Sequence, residues 1–365
     1  MRRQIIGWAV VSALLMGCLL AATSAAATRP GAGSKTTAAA SKAAPAAKPK
    51  PAKKPSLRHG SVPAAPPATT PPGAAVSAHL YLSGAFFVAR KPVAVPDRAV
   101  RVGAVVEPYV PGQVVTLRAF LGKRLIKSTE LVLKPSRYHT FGTFTTTVSS
   151  PSPGEVTLAV THGATATQAA FSGERAFSVL DEHAGFGSSG PFVALIQQRL
   201  SALHFYIRQT GVYDEGTELA LDAYHRLLRW GTYKTLDGRT ISFLLNGWGQ
   251  FKVRYPGQGQ HVEANLSDQL LALMSGSKVD YIYPISSGKP STPTVLGNFQ
   301  VYARVPGMQS DGMYYSSYFI GGYAIHGYDP APDYPASHGC LRLPMVDATF
   351  VYNWLDYGVD VDVYY

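Results

Sequence analysis

The sequence predicts a multidomain α+β protein: a small β-sandwich, a short helical module and a mainly β C-terminal domain, in that order, behind a disordered N-terminal region. Three observations predict it. Between residues 78 and 180, β-rich runs are broken by Gly and Pro turn signals every 8 to 12 residues. From Pro191 the apolar positions change to helical spacing. In the last hundred residues the β-rich runs return, and with them the candidate reactive groups.

The N-terminus is read first because it sets the compartment. Met1-Arg2-Arg3-Gln4, an apolar run from Ile5 to Leu20 and then Ala25-Ala26-Ala27 form the three regions of a secretory signal peptide over residues 1–27, with cleavage after Ala27. Leu15-Met16-Gly17-Cys18 also loosely follows a lipobox, which would lipidate Cys18. An uncleaved anchor is a third reading, although the run is shorter than the roughly 20 residues of a membrane span. All three export the body to the cell wall or periplasmic space.

The formal net charge of +11 is not spread over the body. Residues 1–60 hold ten Lys or Arg and no acid, and the rest carries 23 basic against 22 acidic residues. Residues 28–77, rich in Ala, Pro, Lys and Thr, cannot bury enough apolar surface to offset chain entropy and are expected to be a disordered, extended linker. It is a solvated spacer, or it is drawn to anionic wall or membrane polymers. No Gly-rich phosphate loop follows a strand and no basic patch interleaves with aromatics, so no nucleic-acid partner is expected.

In residues 78–180 the strand candidates are Val100 to Val106, Gln113 to Leu121, Leu125 to Leu133, Thr140 to Val148 and Glu155 to Thr161. Val115, Leu117 and Ala119 alternate with Val114, Thr116, Arg118 and Phe120, which suits a strand with one face in a sandwich core. The spacing suggests an immunoglobulin-like sandwich. With neither a cysteine pair nor an acid cluster, its expected role is spacer or binding module.

Gly185 to Gly190 marks the next boundary. Pro191 to Leu203 places Val193, Ile196, Leu200 and Leu203 on one helical face, and after the turn Gly211-Val212-Tyr213-Asp214 a second helix runs from Glu215 to Trp230. These two helices and the turn resemble the small three-helix peptidoglycan-binding domain, whose second helix follows T-x-x-A-x-x-x-[FY]-Q. Thr217, Ala220 and Tyr224 fit, while His225 stands where Gln is usual. The resemblance covers about 50 of residues 186–256 and implies glycan binding, or a packing module that no longer binds glycan.

In residues 260–365, His261 to Leu266 and Gln269 to Met274 read as two strands brought together by a turn. Further on lies Ser337-His338-Gly339-Cys340-Leu341-Arg342, with His326-Gly327 fourteen residues before the cysteine. The chain has only two cysteines, and removal of the signal peptide leaves Cys340 alone in an oxidising compartment, where an unpaired thiol is a candidate nucleophile. A thiol is mostly protonated at neutral pH, so an imidazole is needed to make the sulfur reactive. His326 is the candidate base, with His338 as the alternative.

Tyr281 to Lys289, Thr292 to Phe299, Gly321 to Gly327 and the cysteine motif together resemble the L,D-transpeptidase catalytic domain of the YkuD type. The resemblance implies a mainly β domain acting on peptidoglycan stem peptides without a cofactor. The cysteine attacks the carbonyl of the L-centre of diaminopimelate in a tetrapeptide stem and releases D-alanine. An acceptor amine then leaves a 3→3 cross-link, whereas water gives carboxypeptidase activity. Carbapenem-type inhibitors are expected to acylate the same thiol.

Carried over residue by residue, the resemblance gives Cys340 as nucleophile, His326 as general base and acid, His338 and Ser337 as orienting or accessory groups, and Gly339 at the oxyanion region. Arg342 is suited to grip a carboxylate or to fix the loop. Gly327, Tyr323 and Tyr315 are candidate substrate contacts. Tyr314, Tyr318 and Phe319 fit a groove or core packing, and Asp329 and Asp333 fit a turn. His326, His338 and Cys340 are also possible zinc ligands. With no H-E-x-x-H, no C-x-x-C, and His338 and Cys340 only two positions apart on a tight turn, no metal is expected. A non-catalytic wall-anchoring protein is the remaining alternative, opposed by the complete cysteine motif.

Overall fold

A computed structural model describes residues 76–365 except Thr167. The expected signal peptide, the lipidation site at Cys18 and nearly all of the linker lie outside the described residues. The described chain is mainly β with four helices, a multidomain α+β architecture. No helix among the described residues is long and apolar enough to cross a membrane.

Ten strands come first: β1 (Ser77–Ser83), β2 (Phe86–Val88), β3 (Lys91–Ala94), β4 (Val100–Glu107), β5 (Val114–Leu121), β6 (Arg124–Val132), β7 (Lys134–Pro135), β8 (Gly142–Val148), β9 (Gly154–His162) and β10 (Phe171–Val179). They form sheets of order β1-β4-β8-β7 and β2-β3-β10-β9-β5-β6. Val115, Leu117 and Ala119 of β5 are buried with Val100, Val102 and Ala104 of β4 in one core, so the alternation legible in the sequence points inward.

Three helices follow: α1 (Pro191–Ala202), α2 (Glu215–Leu227) and α3 (Gly238–Asn246). Pro191 opens α1, where a missing N–H costs nothing. Asp214 and Asp237 cap α2 and α3, their carboxylates accepting the amides of Thr217 and Thr240 at 3.0 and 2.6 Å. Gly247 ends α3 in the left-handed conformation. His225 is fully buried, with Nδ1 2.6 Å from the Tyr233 carbonyl and Nε2 2.9 Å from Thr240 Oγ1. Burial lowers its pKa, so a neutral ring donates through Nδ1 and accepts through Nε2, tying α2 to α3.

The C-terminal sheet contains β11 (Gln260–Asn265), β12 (Leu270–Ser275), β13 (Lys278–Pro284), β14 (Gly297–Gln300) and, from the far end of the chain, β19 (Asp360–Tyr364), in the order β13-β12-β11-β19-β14. A second sheet has β15 (Ala303–Met308), β16 (Tyr314–Ile320), β17 (Tyr323–Gly327) and β18 (Leu341–Leu343) in sequence order, with α4 (Met345–Trp354) packed on β16 and β17.

β12 is buried from Leu270 to Met274 because both its faces are covered. Leu271 and Leu273 enter the core shared with Val262, Ile325, Leu341 and Val361, while Leu270, Ala272 and Met274 pack with α1, α2 and α3. That explains an apolar run with no alternation. The segment leaving α1 also pairs with the edge strand, since Tyr206 N–H donates to the Ile282 carbonyl and Ile282 N–H to that of His204, at 3.1 and 2.8 Å.

Asp347 is 5% exposed in the first turn of α4. Burial, reinforced by Glu215 and opposed by Arg208, raises its pKa to about 7. In the unfolded chain it ionises near 3.9, so the folded form holds the proton more tightly and stability falls as pH rises from about 4 to about 7. Asp347→Asn should remove that loss, on the order of 4 kcal/mol, and stabilise the protein at pH 8. Urea unfolding at pH 4 and pH 8 checks this; an unchanged pH dependence in the variant contradicts it.

Candidate active site

β17 and β18 run parallel, with Ile325 opposite Leu341 and His326 opposite Arg342, so the strand that carries His326 lies alongside the one that Cys340 leads into. Ile325, Leu341 and Leu343 point into the core. Side chains alternate along a strand, so His326, Cys340 and Arg342 share the other face. Ser337, Gly339 and Cys340 lie on the 13-residue connection between the two strands, and Asp329 and Asp333 are exposed on it.

A shelf formed by Ile285 to Gly288 fixes the Cys340 end of this connection. Ser286 and Arg342 exchange both backbone hydrogen bonds, at 2.9 and 3.0 Å. The Ser287 carbonyl accepts the amides of Ala336 and Ser337, both at 2.9 Å, and Ser286 Oγ donates to the Tyr334 carbonyl at 2.6 Å. Lys289 N–H and Thr292 Oγ1 donate to the Ser337 carbonyl at 2.9 and 3.1 Å. Ser337 itself is fully buried, its hydroxyl donating to the Cys340 carbonyl at 2.7 Å and accepting the Gly339 amide at 3.0 Å.

Gly339 has φ +119°, and a Cβ there would lie 2.2 Å from the Tyr323 ring. The position therefore needs glycine twice over, for its backbone and for the aromatic ring against it. Its amide is directed to Ser337 Oγ and helps to shape the turn.

The Cys340 thiol lies 3.8 Å from the Gly322 carbonyl. Burial pushes its pKa up, opposed by the Ala324 backbone and Arg342. His326 is 2% exposed and its Nδ1–H donates to the Gly327 carbonyl at 2.9 Å, which leaves the Nε2 lone pair to act as a base. Burial lowers the pKa of this imidazole, opposed by the Gly327 carbonyl, while Arg342 lowers it further and Asp311 raises it. Both directions favour a neutral thiol beside a neutral imidazole rather than a resting thiolate–imidazolium pair.

Arg342 lies over the Tyr328 ring at 3.9 Å, and that ring meets His326 edge-on at 5.8 Å. The guanidinium thus sits on the ring that packs against His326, and its charge favours the ionised form of Cys340. His338 is exposed, and Lys289 Nζ donates to its Nε2 at 3.2 Å.

Two of the expected substrate contacts, Gly327 and Tyr315, also pack against α4. A Cβ on Gly327 would lie 2.7 Å from the Ala348 side chain of α4, so this glycine lets the helix approach β17. Tyr315 stacks edge-on against Tyr352 of α4 at 5.1 Å and Tyr314 at 4.6 Å. Phe319 is core, packed on Phe299, and Tyr318 donates to Gln309 Oε1 at 3.0 Å. The Tyr323 ring lies against Gly339, the residue before Cys340.

Asp311, whose charge reaches both His326 and Cys340, was readable only as a turn residue in Ser310-Asp311-Gly312. Ser286, Ser287 and Lys289 lie in a run quoted for its resemblance, but nothing in their spacing assigns them a role.

Residues 259–363 match the L,D-transpeptidase catalytic domain family, YkuD. Among solved structures, the chain is similar to an L,D-transpeptidase of Xylanimonas cellulosilytica, with 29% identity over 51% of this chain and 98% of that one, at TM-score 0.46. It is similar to an L,D-transpeptidase of Stackebrandtia nassauensis at 19% identity, covering 50% and 95%, TM-score 0.33. It also resembles the catalytic domain of an Enterococcus faecium L,D-transpeptidase at 27% identity, covering 29% and 96%, TM-score 0.26. No curated protein matches.

Two expectations follow. Alkylation of Cys340 by iodoacetamide should climb with pH to a midpoint above the ~8.5 of a free thiol, and His326→Ala should slow it near neutrality. A rate plateau below pH 7, or equal rates in the variant, contradicts the neutral-pair arrangement. Gly339→Ala should destabilise the fold by roughly 2–4 kcal/mol, read by denaturant unfolding, and abolish thiol acylation.

Proposed function

We propose, from the membership of residues 259–363 in the L,D-transpeptidase catalytic domain family, that this enzyme is an exported cysteine acyltransferase forming 3→3 cross-links between peptidoglycan stems. The observation that carries the reading is the placement of Cys340 and His326 on one face of adjacent parallel strands, with the imidazole neutral and its Nε2 free to accept a proton.

In the acylation step the Cys340 proton passes to His326 Nε2 as sulfur bonds to the donor carbonyl carbon. The tetrahedral oxyanion then collapses, the C–N bond breaks, and the imidazolium returns the proton to the leaving D-alanine amine, giving a thioester. In the second step an acceptor amine gives its proton to the imidazole and attacks the thioester. Collapse expels the sulfur, which recovers its proton. Because burial disfavours both charged forms at rest, charge separation is confined to turnover, where the positive charge of Arg342 favours the developing thiolate.

The catalytic domain carries four Lys or Arg against ten acids, a surface that favours an amine-bearing acceptor. Water reaching the same thioester would give L,D-carboxypeptidase activity. The N-terminal signal features support export, and the resemblance of the helical module to peptidoglycan-binding domains supports a role in holding the enzyme on glycan.

Mass spectrometry of muropeptides after incubation with the purified enzyme tests the reading. A 3→3 dimer is expected, and its replacement by tripeptide alone favours hydrolysis. Cys340→Ala should abolish both product formation and covalent acylation by a carbapenem; acylation unchanged in that variant removes Cys340 as nucleophile.

A further inference from the structure

The hydrogen-bonded frame of the nucleophile does not end at the catalytic domain. Arg226, in the last turn of α2, is 7% exposed and reaches across to the C-terminal sheet. Its Nη2 lies 2.5 Å from Asp222 Oδ2, one turn earlier on the same helix. Its Nη1 donates to two carbonyls from different segments, Ile285 at 2.9 Å and Gln269 at 3.2 Å.

Ile285 belongs to the shelf that carries the cysteine turn, and Gln269 holds that shelf through its side chain. Gln269 is buried in the left-handed region at φ +51°, an uncommon conformation for a side-chain-bearing residue that its surroundings must hold. Its side chain grips Ser287 twice: Oε1 accepts the Ser287 amide at 2.9 Å, and Nε2 donates to Ser287 Oγ at 2.8 Å. The Ser287 carbonyl holds the Ser337 amide, and Ser337 Oγ holds the Cys340 carbonyl. Four hydrogen-bonded steps therefore lead from the guanidinium to the nucleophile's own peptide group.

A buried ion pair is weak as a source of stability, since apolar groups of like volume commonly replace one at no loss. What apolar groups cannot do is span two carbonyls at a set separation, which the planar fork of arginine does. We infer that Arg226 is a positioning residue for Cys340, making the helical module a working part of the catalytic site. The inference rests on Cys340 being the nucleophile.

The test uses the full chain and three readouts: Tm, kcat with KM on a tetrapeptide donor, and the rate of carbapenem acylation. Arg226→Met alone strands Asp222, so the informative variant is the double replacement Asp222→Leu with Arg226→Met, which removes the charges together. It should keep Tm within a few degrees while kcat and acylation fall about tenfold with KM unchanged. Arg226→Lys, which can reach one carbonyl, should fall between.

Ser287→Ala weakens the relay downstream by removing one of the two Gln269 bonds to residue 287, without touching the ion pair. Its loss should be non-additive with that of Arg226→Lys, and this holds the idea to account even where the double variant folds poorly. Arg229→Met, which removes an exposed contact to Asp268 across the same boundary, should leave the rates unchanged. A folded double variant with wild-type kcat and acylation overturns the positioning role, as do additive effects of Arg226→Lys and Ser287→Ala. Turnover that survives Cys340→Ala overturns the nucleophile assignment instead, so the two failures are distinguishable.

Discussion

Two-sided burial of β12 is the constraint on which the rest depends. A strand whose Leu271 and Leu273 close one core and whose Leu270, Ala272 and Met274 close another cannot be solvated on either side. Truncating one such side chain typically costs about 2–5 kcal/mol. The helices are thus bound to the catalytic sheet by its own apolar surface, and the pairing of the segment after α1 with β13 adds backbone hydrogen bonds to that bond. Everything polar at the boundary, the Asp222–Arg226 pair included, sits within a geometry that packing has already set.

The catalytic face shows the same division. Ile325, Leu341 and Leu343 anchor β17 and β18 in the core, and their alternation turns His326, Cys340 and Arg342 outward onto one face. The connection between the strands is irregular, so its backbone polar groups need partners from elsewhere. The Ser286–Ser287 shelf supplies them.

The parts of this arrangement that follow local rules were legible in the sequence. The strands of the sandwich, the apolar face of α1, the β11–β12 hairpin and the pairing of a glycine-followed histidine with a lone cysteine all show as spacing or residue type. What was not legible depends on contacts between distant segments. Gly327 follows His326 in sequence, and nothing local shows that Ala348 of α4 needs the space a side chain there would fill. Tyr315 has an aromatic side chain near the base in sequence, yet its left-handed backbone turns it onto α4. Gln269 read as the start of a strand, and its grip on Ser287 appears only when β12 and the shelf are side by side.

The neutral state of the cysteine has a consequence for the enzyme's lifetime. Peroxides and disulfides consume thiolates far faster than thiols, so a sulfur kept protonated by its surroundings is a poor target between turnovers. The same desolvation that obliges the enzyme to use a base also works as an antioxidant shield. A protonated Cys340 is thereby slower to react with peroxides and disulfides than an exposed, ionised cysteine would be.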